Sequence, residues 1–157
     1  MKEIRWHARA GQGAKTASQM VAVALLRSGK SVQAFPEYGP ERRGAPLRAF
    51  TRYDDRPIRR HDSVTSPDVV VVIEPSLRRE IDVTAGMKPG GLLLDAGVLD
   101  APRVGTNVFM AGALAAALGE PPLETLQDAA VELLGRKVGA ESIRATVAAG
   151  YEKGLAR

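Results

Sequence analysis

Apolar and polar positions alternate between two periods along this chain, and that switching predicts an α/β fold. Ile4 to His7 is a short apolar–polar stretch that predicts a first strand, broken by Ala10-Gly11-Gln12-Gly13. From Ala14 to Arg27, Ala14, Ala17, Val21, Ala24 and Leu25 recur at helical spacing. Ser28-Gly29-Lys30 stops that helix, since glycine takes a left-handed cap and lysine suits a helix C-terminus. Val32, Ala34 and Phe35 then predict a second strand. The simplest assembly of strand, glycine turn, helix and strand is a parallel, right-handed βαβ unit.

Beyond a polar loop over 38–46, Leu47, Ala49, Thr51 and Tyr53 alternate with Arg48, Phe50 and Arg52, a strand pattern. Asp54-Asp55-Arg56-Pro57 predicts a turn and Ile58 to Arg60 a returning hairpin partner. Val69 to Ile73 is an unbroken β-branched run, as expected of a central strand covered on both faces. Ser76 is the expected N-cap of a following helix, Leu92 to Asp95 another buried strand, and Val104 the start of a short last one. Three helices close the chain: one over 108–118, one entered through Pro121-Pro122, and one whose apolar face reads Ile143, Val147, Tyr151, Leu155. The whole reads as a single domain over 1–157. Its predicted fold class is an open, mostly parallel, Rossmann-like sheet with helices on both faces and a hairpin insertion.

Composition narrows the function. There is no cysteine, which excludes a disulfide framework and any thiolate-bound zinc or iron–sulfur site on this chain. The two histidines, His7 and His61, have no serine, acid or cysteine beside them in a hydrolase-like pattern, and no metal-ligand cluster is predicted. No apolar run approaches the roughly 20 residues of a membrane span. The first residues carry Lys2, Glu3 and Arg5 rather than an apolar signal core. A cytoplasmic protein with no membrane contact is expected.

The net charge of +4 is unevenly placed: residues 42–60 hold seven arginines against Asp54 and Asp55, so this segment is +5 and the remainder −1. A solvated strand face, an anionic ligand and an acidic partner all fit such a segment. Nucleic acid fits poorly, because aromatic residues for base stacking are only 4% of the chain.

Two segments are candidates for chemistry. In the turn Gly11-Gln12-Gly13, glycines let backbone N–H groups approach an anion, and the helix N-terminus behind adds a favourable dipole. Lys15 and Thr16 add a charge and a hydroxyl. Both the dinucleotide fingerprint and the P-loop pattern are incomplete here, and an ordinary tight βα turn fits the spacing equally well. The second segment is Tyr38-Gly39-Pro40-Glu41-Arg42-Arg43-Gly44-Ala45-Pro46, at the sheet edge where open α/β folds line a ligand crevice. Arginine suits two-pronged recognition of carboxylate or phosphate, though a solvent loop with weak ion pairs is the plainer alternative. Asp95 reads as a functional acid or a turn cap, and Asn107 as an N-cap.

Taken together, the Gly11–Gly13 turn with its Ala-rich helix, the Tyr38–Pro46 stretch, Arg52, Ser66-Pro67-Asp68, the helix around Asn107 and Gly112, and Gly150-Tyr151-Glu152 resemble one family. It is the γ subunit of pyruvate and related 2-oxoacid:ferredoxin oxidoreductases. The resemblance implies a subunit, inactive alone, of a complex that oxidatively decarboxylates a 2-oxoacid to an acyl-coenzyme A. Thiamine diphosphate with its magnesium ion and the [4Fe–4S] clusters would sit on partner subunits, of thiamine-binding α/β type and ferredoxin-like δ type. Carried over by position, Gly11, Gln12, Gly13, Lys15 and Thr16 would face the phosphates of coenzyme A. Tyr38, Glu41, Arg42, Arg43, Gly44 and Arg52 would face the crevice or a partner subunit. Ala8 and Ala10 stand where the family usually has glycine, and Ser142 where it has asparagine. A docking subunit without a ligand, and the small subunit of indolepyruvate oxidoreductases, are the other readings of the same residues.

Overall fold

A computed structural model describes residues 1–37 and 43–157. Five strands, β1 (Lys2–Arg9), β2 (Ser31–Pro36), β3 (Pro46–Asp54), β4 (Val69–Val72) and β5 (Leu92–Asp95), form one open sheet in the order β2-β3-β1-β4-β5. β1 pairs in parallel with β4, and β4 with β5. β3 runs antiparallel to both β1 and β2. Four strands therefore point one way and β3 alone points back, which agrees with the expected open, mostly parallel sheet.

β1, α1 (Ala14–Arg27) and β2 form a parallel crossover, but β3 is inserted between its two strands. The hairpin is made by β2 and β3, not by β3 and residues 58–60, which are irregular. Those residues instead run beside the sheet, where the Arg60 carbonyl accepts from the Gln33 side chain at 2.7 Å.

The four α-helices, α1, α2 (Thr106–Leu118), α3 (Leu123–Leu134) and α4 (Ala140–Ala156), pack into one core with Ile4, Trp6, Ala49, Tyr53, Val69 and Val71 on one face of the sheet. On the other face a 3-10 helix (Pro75–Arg79) and the irregular segment after it cover Val70 and Val72 through Leu77 and Val83. The helix expected after Ser76 is thus a single short 3-10 turn. Its N-cap is Glu74, whose carboxylate accepts from Ser76 N, with proline at the first position. Val104 begins no strand; it is exposed in a bend before α2.

α4 also turns differently from the expected face. Steps of four residues overshoot a full turn by about 40° each at 3.6 residues per turn, so Leu155 stands roughly 120° from Ile143. The buried stripe is Ile143, Val147, Gly150 and Gly154, and Leu155 is exposed. Its glycines let α4 lie directly on α2: a Cβ on Gly150 would stand 1.8 Å from the Phe109 carbonyl oxygen, and one on Gly112 2.1 Å from that of Val147.

Candidate functional site

The carboxyl ends of β1 and β4 are where the chain order diverges. From β1 the chain crosses to one side of the sheet, while β4 and β5 build the other; ligands of open α/β sheets bind in the crevice at such a switch point. A cavity of about 400 Å³ lies there, lined by Gln12 from the turn after β1, Glu74 after β4, Gly97 after β5, and Arg103 and Thr106 at the entry to α2.

The turn is held from several sides. The Arg9 N–H donates to Gln12 Oε1 at 2.6 Å, and the Gln12 N–H to the Arg9 carbonyl at 3.1 Å. Gln12 Nε2 donates in turn to Glu74 Oε1 at 3.0 Å, joining the ends of β1 and β4. The Arg9 guanidinium reaches the Gly44 carbonyl, Ser76 Oγ and Glu80, which ties the turn to the hairpin and the 3-10 helix. Gly11 and Gly13 both have φ near the left-handed region, at 89° and 80°. Glycine is needed at both for that reason.

Gly13 is the N-cap residue of α1 and no side chain caps it. Gly105 does the same for α2, at φ 74°, again without a side-chain cap. Two helix N-termini thus open beside one crevice. Asn107 bridges them, its Nδ2 donating to the Gly13 carbonyl at 3.3 Å. Uncapped first-turn amides and the positive ends of two helix dipoles are a donor set for an anion. Lys15 is exposed on the first turn of α1 and Arg103 is exposed ahead of α2, so two cations stand at the same end. Glu74 is the opposing charge. Partial burial pushes its carboxyl up, but hydrogen bonds from Gln12 and Ser76 and the charge of Arg9 outweigh this and leave its pKa lowered. The crevice is therefore electropositive on its helix side and negative beside β4.

Of Gly11, Gln12, Gly13, Lys15 and Thr16, Gln12 lines the cavity, and the others belong to the same turn and the first turn of α1 behind it. Arg43 is exposed where the hairpin loop returns, and Gly44 sits beside the turn through its bond from Arg9. Tyr38, Glu41 and Arg42 lie outside the described residues. Arg52 is placed elsewhere, neither in the crevice nor on the surface. It is fully buried, with Nε on Glu3 Oε2 at 2.9 Å, Nη1 on Gln33 Oε1 at 2.8 Å and Nη2 on the Asp62 carbonyl at 2.9 Å. Arg52 pairs with Glu3, whereas the crevice begins beyond Arg9. Six residues of strand separate the two, roughly 20 Å.

Asp95 serves the turn: its carboxylate accepts from Gly97 N at 2.8 Å and from Arg78 Nη1 at 2.9 Å. Asn107, expected as an N-cap, lies inside α2, with Gly105 in the capping position. The signal that could have found it is Gly105 itself, which with Thr106-Asn107 shifts the helix start ahead of the asparagine. Among the described residues no group of three His, Asp or Glu side chains could hold a metal ion, and no helix is long and apolar enough to cross a membrane.

Residues 3–104 match the family model described as pyruvate ferredoxin/flavodoxin oxidoreductase. The γ subunit common to the pyruvate and ketoisovalerate oxidoreductases of Thermococcus kodakarensis is 41% identical, over 92% of this chain and 93% of that one. The crystal structure of pyruvate oxidoreductase subunit PORC from Thermotoga maritima superposes with a TM-score of 0.82 at 36% identity, covering 96% of this chain and 95% of that one. The same fold recurs in 2-oxoglutarate:ferredoxin oxidoreductase from Magnetococcus marinus, solved with 2-oxoglutarate, coenzyme A and succinyl-CoA bound. There the TM-score is 0.66 at 19% identity, over 99% of this chain and 30% of that one.

Proposed function

This chain belongs to the pyruvate ferredoxin/flavodoxin oxidoreductase family as a γ-type subunit of a 2-oxoacid oxidoreductase, and we propose that in the assembled enzyme its crevice holds the phosphates of coenzyme A. The observation that carries the proposal is two side-chain-uncapped helix N-termini, at Gly13 and Gly105, joined through Asn107 next to a crevice that Gln12 and Thr106 line. A distant structural relative with coenzyme A bound makes this ligand the natural candidate.

The residues fit the group. The amides of Ala14, Lys15 and Thr16 on α1 and of Thr106 and Asn107 on α2 donate to phosphate oxygens, while Lys15 and Arg103 neutralise charge and the Thr16 hydroxyl adds a donor. Glu74 repels phosphate from the β4 side and so confines it to the helix side. Coenzyme A, when bound, supplies the thiol that accepts the acyl group. This chain's part is to fix the phosphates so that the thiol end is presented to a partner subunit, a positional contribution worth up to several kcal/mol in favourable cases.

Thiamine diphosphate with its magnesium ion and the [4Fe–4S] clusters belong on the partner subunits in this proposal. The absence of cysteine supports that division, since cluster ligation needs thiolates. Arg43, exposed at the return of the hairpin, faces a partner subunit, and the complex works in the cytoplasm with ferredoxin or a nicotinamide as acceptor.

The test is steady-state kinetics of the reconstituted complex with coenzyme A varied, for Lys15→Ala, Arg103→Ala and the double variant. Loss of one charge-assisted contact of about 1.4 kcal/mol raises KM for coenzyme A roughly tenfold. The double variant exceeds either single one, with little change in turnover at saturation. An unchanged KM in the double variant rejects the crevice as the coenzyme site. If assembly weakens instead, these residues dock a partner.

A further inference from the structure

The polar face of β1 carries a second cavity, of about 410 Å³, on the side of the sheet away from the α-helices. Its lining includes Arg5 and His7 from β1, Arg48 from β3, Glu37 after β2, and Asp82 from the segment covering this face. Arg5 and His7 are 3% and 2% exposed.

Buried charges are ordinarily paired with an opposite charge. Arg5 is not. Its Nε donates to His7 Nε2 at 3.0 Å, and its Nη2 to the carbonyls of Val83 at 2.9 Å and Ala85 at 2.6 Å. All three acceptors are neutral. The Glu37 carboxylate is engaged by Arg48 instead, and Asp82, exposed, caps its own turn at Thr84. Arg9, the next charge on this face of β1, is committed to Glu80.

His7 has the complementary deficit. Because Nε2 accepts from Arg5, the proton of the neutral imidazole sits on Nδ1. That atom is buried and has no hydrogen-bond partner among the described residues. The Val83 carbonyl favours the charged imidazole slightly without a bond of normal geometry, and burial with the charges of Arg5 and Arg48 outweighs it, holding the pKa down at about 4. A buried cation without a counter-ion and a buried donor without an acceptor share one cavity. Each is costly alone, and one anion relieves both.

We propose that this cavity is a carboxylate-binding site, in which Arg5 supplies the counter-charge and His7 Nδ1–H a hydrogen bond. The lining charges decide the class. Arg48 is taken up by Glu37 and exposed Asp82 caps its own turn, so the single charge of Arg5 is left to be met and a monoanion is accommodated more readily than a doubly charged phosphate. The carboxylate comes either from an acidic side chain of a partner subunit or from a free small acid. The site stands apart from the coenzyme reading, since His7 reports on this cavity whatever the crevice binds.

The experiment uses the full chain with ¹⁵N- and ¹³C-labelled histidine. His61, exposed and assigned by His61→Gln, is the internal control. Sodium acetate is titrated at pH 7 against sodium chloride of equal ionic strength, and the imidazole midpoint is followed free and in the complex assembled with partner subunits. A saturable shift of His7 alone with acetate identifies a site open to free carboxylates. No acetate effect, but a His7 midpoint raised by about one pH unit or more on assembly, identifies an acidic side chain of a partner. A His7 signal and midpoint unmoved by acetate and by assembly overturn the proposal.

Discussion

Gly13→Ala perturbs the contact on which the crevice depends. Gly13 has φ 80°, and a Cβ there would stand 2.4 Å from Asn107 Nδ2. An alanine in the left-handed region costs about 1–2 kcal/mol. The Asn107 amide must also swing away, which forfeits its bond to the Gly13 carbonyl, about 1 kcal/mol for a neutral pair. The sum is about 2–3 kcal/mol, or roughly 4–12 °C in Tm for a domain of this size. The assay is a double-mutant cycle by denaturant unfolding, with Gly13→Ala, Asn107→Ala and both together. Asn107→Ala alone should cost about 1 kcal/mol. Combined with Gly13→Ala it removes the clash, so the pair should cost less than the sum of the single variants by about 1 kcal/mol. Strict additivity, or a Gly13→Ala variant within 0.5 kcal/mol of the parent (about the scatter of a neutral surface change), refutes the claim that Asn107 locks the two helix N-termini together.

Gly150→Ala should cost about 2–3 kcal/mol by overpacking α4 against the Phe109 carbonyl. Gly139→Ala, with open space around it and φ −60°, should stay within about 0.5 kcal/mol of the parent by chemical denaturation, because the unfolded-state gain offsets alanine's poorer fit at the N-cap of α4. Arg52→Ala takes the close partner from buried Glu3, leaving it Arg60 at 3.9 Å, and should cost up to about 3–5 kcal/mol, while KM for coenzyme A in whatever complex assembles stays unchanged. His7 makes stability depend on pH. Its folded pKa is about 4 against an ordinary 6.5, so the unfolded chain binds the proton first, and stability present above 6.5 is lost as pH falls toward 4. Denaturation at pH 6.5 and pH 5 should differ by about 1.6 kcal/mol from this group, and His7→Gln should remove most of that difference.

Local pattern was sufficient for most elements. The glycine turn and the Ala-rich spacing of α1, the Ser28-Gly29-Lys30 stop and the valine run of β4 each name their own structure, because period and cap chemistry are local. The neighbours of a strand are not local. Nothing in Leu47–Tyr53 says that β3 inserts between β1 and β2, though its alternation correctly separates Ala49 and Tyr53 from Arg48 and Arg52. What alternation could not reveal is that the second face is also covered. Arg5, His7 and Arg52 look like solvent-facing positions and are buried, because residues with no regular structure of their own close over them. The crevice was legible as far as the Gly11–Gly13 turn. Its other half, Gly105 and Asn107, is distant in sequence and joins only through the packing of α2 beside α1.

The most direct measurement of the coenzyme reading is backbone amide hydrogen exchange of the assembled complex with and without coenzyme A, resolved at the first turns of α1 and α2. If two helix N-termini jointly cradle its phosphates, amides 14–16 and 106–108 both slow on binding, while those at the start of α3 do not. Saturating coenzyme A that leaves the exchange of both turns unaltered contradicts the account.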